Sequence, residues 1–497
     1  MAPRTARTTG SRAAPRKGRR PPSESPSRRA AAIRQSVRHG RLDDLTPLLV
    51  ALSDPTPGLR QTAAIALGIL KDPRASSTLA ASLTDPDVGV RASAAEALGA
   101  ISRSESREPL ERAFEDPDDH VRARVAGALR LLADARSVPV LAAHATDPST
   151  EVRQAVASAL GGIGTDEAAL ALAPLLADES DRVRREAVLG YGRTTGPEVV
   201  VTVRAFLGDP ARRVRVAAAV ILGRHRDVAS VPLLLERLTA PETWEKPAVL
   251  VALGRIGSMD ALPALIAACE NPAHWVRVCA LHALGDMGVP AARTAALLHA
   301  KDPAWAVRGA AAIALGAAGG ADDLPVLLEL LRDDHAWPRR GATYAIGRLG
   351  LTEAAPRIRE ELADPVAEVR LAAVWALGRL GDDGAREDLV RLLYGVHPGD
   401  PEEVVLSDAE TDGALRSDAE SRLFDAAVQA LGRLSHGVPD PLVHRALLDV
   451  RGRLSDEELD RLARLPLPEV GGDRTPVTLR ALFETAIPTS GDDEDAG

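Results

Sequence analysis

The chain has 497 residues, 45% of them hydrophobic and 26% charged, with a formal net charge of −9. That length exceeds an ordinary single domain, so the chain must either divide or grow by repetition. No apolar run approaches the roughly 18 residues of a membrane span, and the two cysteines, Cys269 and Cys279, exclude a disulfide framework and a thiolate metal cage.

The amino-terminal 29 residues carry nine basic groups between Arg4 and Arg29 against the single acid Glu24, a balance of +8 that leaves −17 for the rest. Five prolines and little apolar content make residues 1–29 a disordered basic tail by expectation, since such a segment cannot bury enough surface to offset its ordering entropy. No apolar core follows the arginines to form a secretory signal, and the sequence accordingly places the protein in the cytoplasm. The stretch SRRAAAIRQSVRHG then reads as a degenerate cap helix.

A strict period of 31 residues follows. Arginine stands at positions 60, 91, 122, 153, 184, 215, 277, 308, 339 and 370, with Lys246 in the one gap, so eleven repeats run without insertion. Six residues before the anchor stands Asp in nine of the eleven, with Ala240 and Asn271 the departures, and Pro usually follows. The spacing predicts that this Asp-Pro phrase opens a helix, with Asp accepting free amides and Pro in the first turn. Val307, Ala311, Ala314 and Leu315 form one apolar helix face. Gly at 164, 257, 288, 319, 350 and 381 is expected to end the helix in a left-handed cap. The remainder of each repeat, as in DDLPVLLELLRD (322–333), reads as a second helix. No pair of 31 residues can cover its own apolar faces, so stacking of neighbours is required.

The pattern D-P-x3-V-R-x2-A-x3-L-G, repeated across residues 42–382, resembles the HEAT repeat in the short form found in the HEAT-like repeats of phycobilisome lyases. The resemblance implies an all-α, right-handed solenoid of about twelve two-helix repeats. It also implies a hydrogen-bonded ladder between adjacent repeats, carried by Asp302 with Arg308 and by Asp364 with Arg370. Function does not follow from it, because one fold hosts many activities.

Beyond the eleventh repeat, residues 396–418 form an inserted loop rich in acids; a twelfth repeat, DAESRLFDAAVQALGRL (418–434), has Phe424 at the anchor. The solenoid is thus expected over 30–435, capping helices within 436–487, and an acidic disordered tail over 488–497.

The repeat alignment also tests candidate chemistry. Cys269 aligns with leucines and Cys279 with small residues, so both read as packing residues. The eleven histidines form no HxxxH or HExxH pair, and none precedes a Glu, unlike the His-Glu dipeptides of HEAT-repeat deoxyhypusine hydroxylases. The sequence therefore assigns no catalytic, cofactor or metal residue.

Two columns differ between repeats. Trp244, Trp275, Trp305 and Trp337 fall two or three residues before successive anchors. They read either as an aromatic partner strip at the turn edge or as covers for neighbouring helix starts. Five residues past the anchors, Leu189, Val220, Val251, His282, Ile313, Tyr344 and Trp375 form an increasingly apolar column. Arg193, Arg224, Arg255, Arg348 and Arg379 lie one turn further on. This column reads either as a peptide groove edged by arginine or as surface buried between helices. The reading favoured is a non-enzymatic scaffold without cofactor, binding a protein or peptide segment on its concave face and contacting no membrane. A bilin-lyase-like enzyme or chaperone is the alternative, and nucleic-acid binding through the basic tail a further, less favoured one.

Overall fold

The computed structural model describes residues 30, 31, 33, 44–194, 196–239, 245–393, 426, 427 and 429–431. The basic tail, most of the upstream cap, the acidic insertion, most of the twelfth repeat, the segments 436–487 and 488–497, and Trp244 lie outside the described residues. The chain forms two compact units, Met1–Val199 and Val200–Gly497. Every described element is helical.

In the first unit each anchor lies in a helix: Pro57–Leu70, Val88–Ile101, Asp119–Leu132, Thr150–Ile163 and Asp181–Tyr191. In the second they are Arg212–Arg224, Lys246–Ile256, His274–Met287, Trp305–Ala318, Ala336–Leu349 and Ala367–Leu380. Short helices alternate with them, typically entered through one 3-10 turn, as where Ala321–Asp323 leads into Leu324–Leu330. Within each unit successive anchor helices stack side by side, making an all-α solenoid. Val307, Ala311, Ala314 and Leu315 are fully buried.

The Asp-Pro phrase does not open the helix as the spacing predicts; it makes the turn ahead of it. The helix Trp305–Ala318 is preceded by Ala304, and Asp302 Oδ1 accepts the Ala304 N–H at 2.9 Å. The carboxylate folds back on the turn and with both oxygens still accepts from an arginine of the neighbouring repeat. Where the helix start itself is capped, a further Asp does it: Asp87 accepts the Val90 N–H, and Asp118 those of His120 and Val121.

The conserved-register glycine eight residues past the anchor is explained by close approach. A Cβ on Gly254 would lie 2.5 Å from the Ala283 Cα of the next anchor helix, nearer than two such atoms can come. Five of the six expected glycine caps are left-handed, with φ between 62° and 73°. Gly319 is the exception: it is extended (φ −87°, ψ −167°), and the Gly320 N–H that follows donates to Asp323 Oδ2. At the same register Lys71, Ser102, Ala133 and Arg226 also take positive φ, at some steric cost.

Candidate partner-binding surface

The ladder is what holds the surface in register. Each rung joins an arginine to the aspartate 25 residues later, in the following repeat. In the first unit the pairs are Arg60–Asp85, Arg91–Asp116, Arg122–Asp147 and Arg153–Asp178. In the second they are Arg277–Asp302, Arg308–Asp333 and Arg339–Asp364. Each is two-pronged, as with Arg277 donating to Asp302 at 2.9 and 2.8 Å. Asp302 thus takes Arg277, while Arg308 meets its own repeat through the Asp302 and Pro303 carbonyls and sends its fork on to Asp333. Likewise Asp364 takes Arg339, and Arg370 donates to the Asp364 and Pro365 carbonyls while its buried Nε has no partner among the described residues. Burial pushes the Asp302 carboxyl up, but the bonds from Arg277 and the Ala304 N–H outweigh it and leave the group below its ordinary value.

Where repeat seven lacks the aspartate, Glu245 replaces it, buried between Arg215 and Arg237 at 2.7 and 2.5 Å. At the next interface the rung is missing. Lys246 makes no ion pair among the described residues, and Asn271 serves only its turn, accepting the Ala273 N–H.

The column five residues past each anchor lies on the anchor helices. Leu189 in the first unit and Val220, Val251, His282, Ile313 and Trp375 in the second are half-buried, and Tyr344 is 37% exposed. Burial lowers the His282 pKa, with Asp286 opposing. At its end the column closes into an aromatic pair: the Tyr344 and Trp375 rings stack with centroids 4.6 Å apart at 16°. Arg379 lies 5.4 Å from the Trp375 centroid and donates to the Gly347 carbonyl.

All five arginines of the flanking row are exposed. Arg193 donates to the Gly161 carbonyl. Arg224, Arg255 and Arg348 make no ion pair among the described residues, unlike the rung arginines Arg215 and Arg339 on the helices of Arg224 and Arg348. The row is interrupted by Asp286 and Ala317, so its arginines cluster at the two ends.

The tryptophans divide. Trp305 is 46% exposed and stacks on His335 of the next repeat, with centroids 5.5 Å apart. Trp337 is half-buried across Gly309 of the preceding repeat, filling space that a Cβ there would occupy. Trp275 is half-buried. Arg340 lies 5.1 Å from the Trp337 centroid. It was missed in the sequence, where it is one residue past its anchor; counting four back from Tyr344 and eight from Arg348 would have placed all three on one helix face.

Cys269 is buried, and burial pushes its thiol up to about 12; the same cause raises Cys279. A thiol raised by burial is a poor nucleophile, in keeping with packing roles for both. No group of three metal-ligating side chains converges among the described residues, and no helix there is long and apolar enough to cross a membrane.

Family models for HEAT repeats match residues 21–99, 76–161, 107–192, 171–250, 240–300, 294–347 and 338–401. The chain belongs to the HEAT-repeat family. No curated protein matches it. Among solved structures, a Kap121p mutant is 13% identical with a TM-score of 0.51, the match covering 89% of this HEAT-repeat chain and 62% of that one. The complex of CpcE and CpcF of phycocyanin lyase from Nostoc sp. PCC7120 is 24% identical at a TM-score of 0.32, covering 46% of this chain and 94% of that one. Human deoxyhypusine hydroxylase is 24% identical at 0.24, covering 49% and 96%. At 13% identity the likeness to the Kap121p mutant is one of fold alone.

Proposed function

We propose that the protein is a non-enzymatic cytoplasmic scaffold that grips a protein segment on the anchor-helix face of its second unit. The observation that carries this reading is the stacked, part-exposed Tyr344–Trp375 pair set among Arg340, Arg348 and Arg379. Tryptophan, tyrosine and arginine are the side chains that most often dominate binding energy at interfaces. An aromatic pair packed on a rigid helix stack loses little freedom when covered, and the guanidinium row favours a partner with carboxylates beside apolar anchors. The half-buried residues leading up to it, Val251, His282 and Ile313, extend the apolar track along successive helices.

Tyr344→Ala combined with Trp375→Ala tests the reading. The double variant should lose captured partners in an affinity pull-down while its unfolding midpoint stays near that of the unmodified chain. An unchanged set of captured proteins would remove the groove. The lyase alternative predicts visible absorbance on co-expression with bilins. The nucleic-acid alternative predicts retention at moderate salt that disappears when residues 1–29 are deleted.

A further inference from the structure

The face described above suits a segment with apolar anchors at helical spacing followed by acids, and the chain carries one of its own. Residues 476–497 read PVTLRALFETAIPTSGDDEDAG. Leu479, Leu482, Phe483 and Ala486 recur at i, i+3, i+4 and i+7, and Asp492, Asp493, Glu494 and Asp495 follow within nine residues. This segment lies outside the described residues. We propose that residues 476–497 are an internal ligand of the Tyr344–Trp375 face and compete with partner segments for it. The inference rests on the peptide-binding reading of that face.

Three observations bring segment and face together. The first is charge: Arg340, Arg348 and Arg379 are exposed, and Arg348 has no carboxylate partner among the described residues, so four acids beside the apolar anchors complement the rim. The second is position. Ala430 packs against Gly378, on the same helix as Trp375, so the last described residues lie on the next helix of the stack, one repeat from the aromatic pair.

The third is reach. Leu431 and Leu479 are 48 positions apart, and since an extended chain covers up to roughly 3.5 Å per residue, that separation leaves ample length for the segment to come to the face. Because segment and face belong to one chain, their contact is intramolecular and needs less intrinsic affinity than the same contact with a separate peptide. The acidic insertion, by contrast, has its large apolar residues at Val396, Val404, Val405, Leu406 and Leu415, with no i, i+3, i+4, i+7 set among them.

The test uses the full chain and a fluorescein-labelled synthetic peptide of residues 476–497, followed by fluorescence anisotropy. Leu482→Asp with Phe483→Asp disables the chain's own segment, and this variant should bind the peptide at least tenfold more tightly than the unmodified chain. Neutralising Asp492, Asp493 and Asp495 to Asn and Glu494 to Gln should shift affinity in the same direction by about threefold. Adding Trp375→Ala and Arg379→Ala to the disabled variant should abolish binding. Equal affinity for unmodified and disabled chains, or no binding to the disabled variant, overturns the proposal. So does a concentration-dependent dimer lost on Leu482→Asp with Phe483→Asp, which would make a second copy the acceptor. If the peptide fails to bind while Tyr344→Ala with Trp375→Ala still strips partners in the pull-down, only the internal ligand is lost and the peptide-binding face stands.

Discussion

The two compact units share one scaffold and differ in the face laid over it. Rungs of the same geometry join repeats in both, and the same Val, Ala and Leu positions are buried. In the first unit the column reads Ile65, Glu96, Gly127 and Ser158 before reaching Leu189, and its charge is met internally, with Arg124 3.1 Å from Glu96. In the second unit the column becomes apolar and aromatic, and Arg224, Arg255 and Arg348 beside it pair with no carboxylate among the described residues. A repeat scaffold can therefore change what it presents without changing what holds it together, because presentation and cohesion use different positions of one helix.

The largest effects should come from cohesion and be equal in the two units. Leu98→Ala and Leu315→Ala, each removing a fully buried side chain, should cost about 2–5 kcal/mol by denaturant unfolding; a loss confined to one unit would break the comparison. Glu361 is next. It is 4% exposed beside Arg357 at 3.0 Å, near Arg339 and Asp364, and burial, its largest influence, pushes it up to about 7. A folded value above the unfolded one means its contribution is complete below about pH 4.5 and lost as pH rises through 7. Glu361→Gln should therefore raise stability by roughly 1–3 kcal/mol at pH 8 and have little effect at pH 4.5. The rung aspartates behave oppositely: held low, they give stability that is lost as pH falls below the carboxylate range.

Gly254→Ala should cost about 1–3 kcal/mol, since the new Cβ meets backbone rather than a movable side chain. Changing the second unit's face towards that of the first, with Tyr344→Glu and Trp375→Ser, should remove partner capture while costing under about 1 kcal/mol in the unfolding midpoint. A large stability loss would assign the aromatic pair to cohesion instead. Smallest of all, Ala133→Gly should shift stability by a few tenths of a kcal/mol upward, relief at φ 50° slightly exceeding the added unfolded-chain entropy.

Much of this was readable in the sequence because repetition converts position into environment. The burial of Leu315, the packing role of Cys269 and the left-handed caps at Gly164 and Gly350 all follow from register alone. What register does not encode is direction across an interface. The Asp302 carboxylate could serve its own helix or a neighbour, and only the stacked geometry sends it to Arg277 while its turn takes the Ala304 N–H. Substitutes from outside the register were equally hidden: Glu245 is five residues from the aspartate position it replaces, yet its longer side chain reaches the same arginine. Gly319 departs from its equivalents because a second glycine and Asp323 offer the chain an alternative exit. On the face, the column was visible as a list, but the parallel stacking of Tyr344 on Trp375 depends on the spacing of two helices.

The missing rung between Lys246 and Asn271 has a mechanical consequence. A stack of nearly identical layers under tension shares load through its links, and the layer pair with the weakest link parts first. Pulled along its axis, the second unit should yield at the contact between helices Lys246–Ile256 and His274–Met287, which no rung among the described residues reinforces, before any interface clamped by an arginine fork. The protein would then extend in an ordered sequence, like a spring with one soft coil, and restoring the link through Lys246→Arg with Asn271→Asp should raise the force at which extension begins.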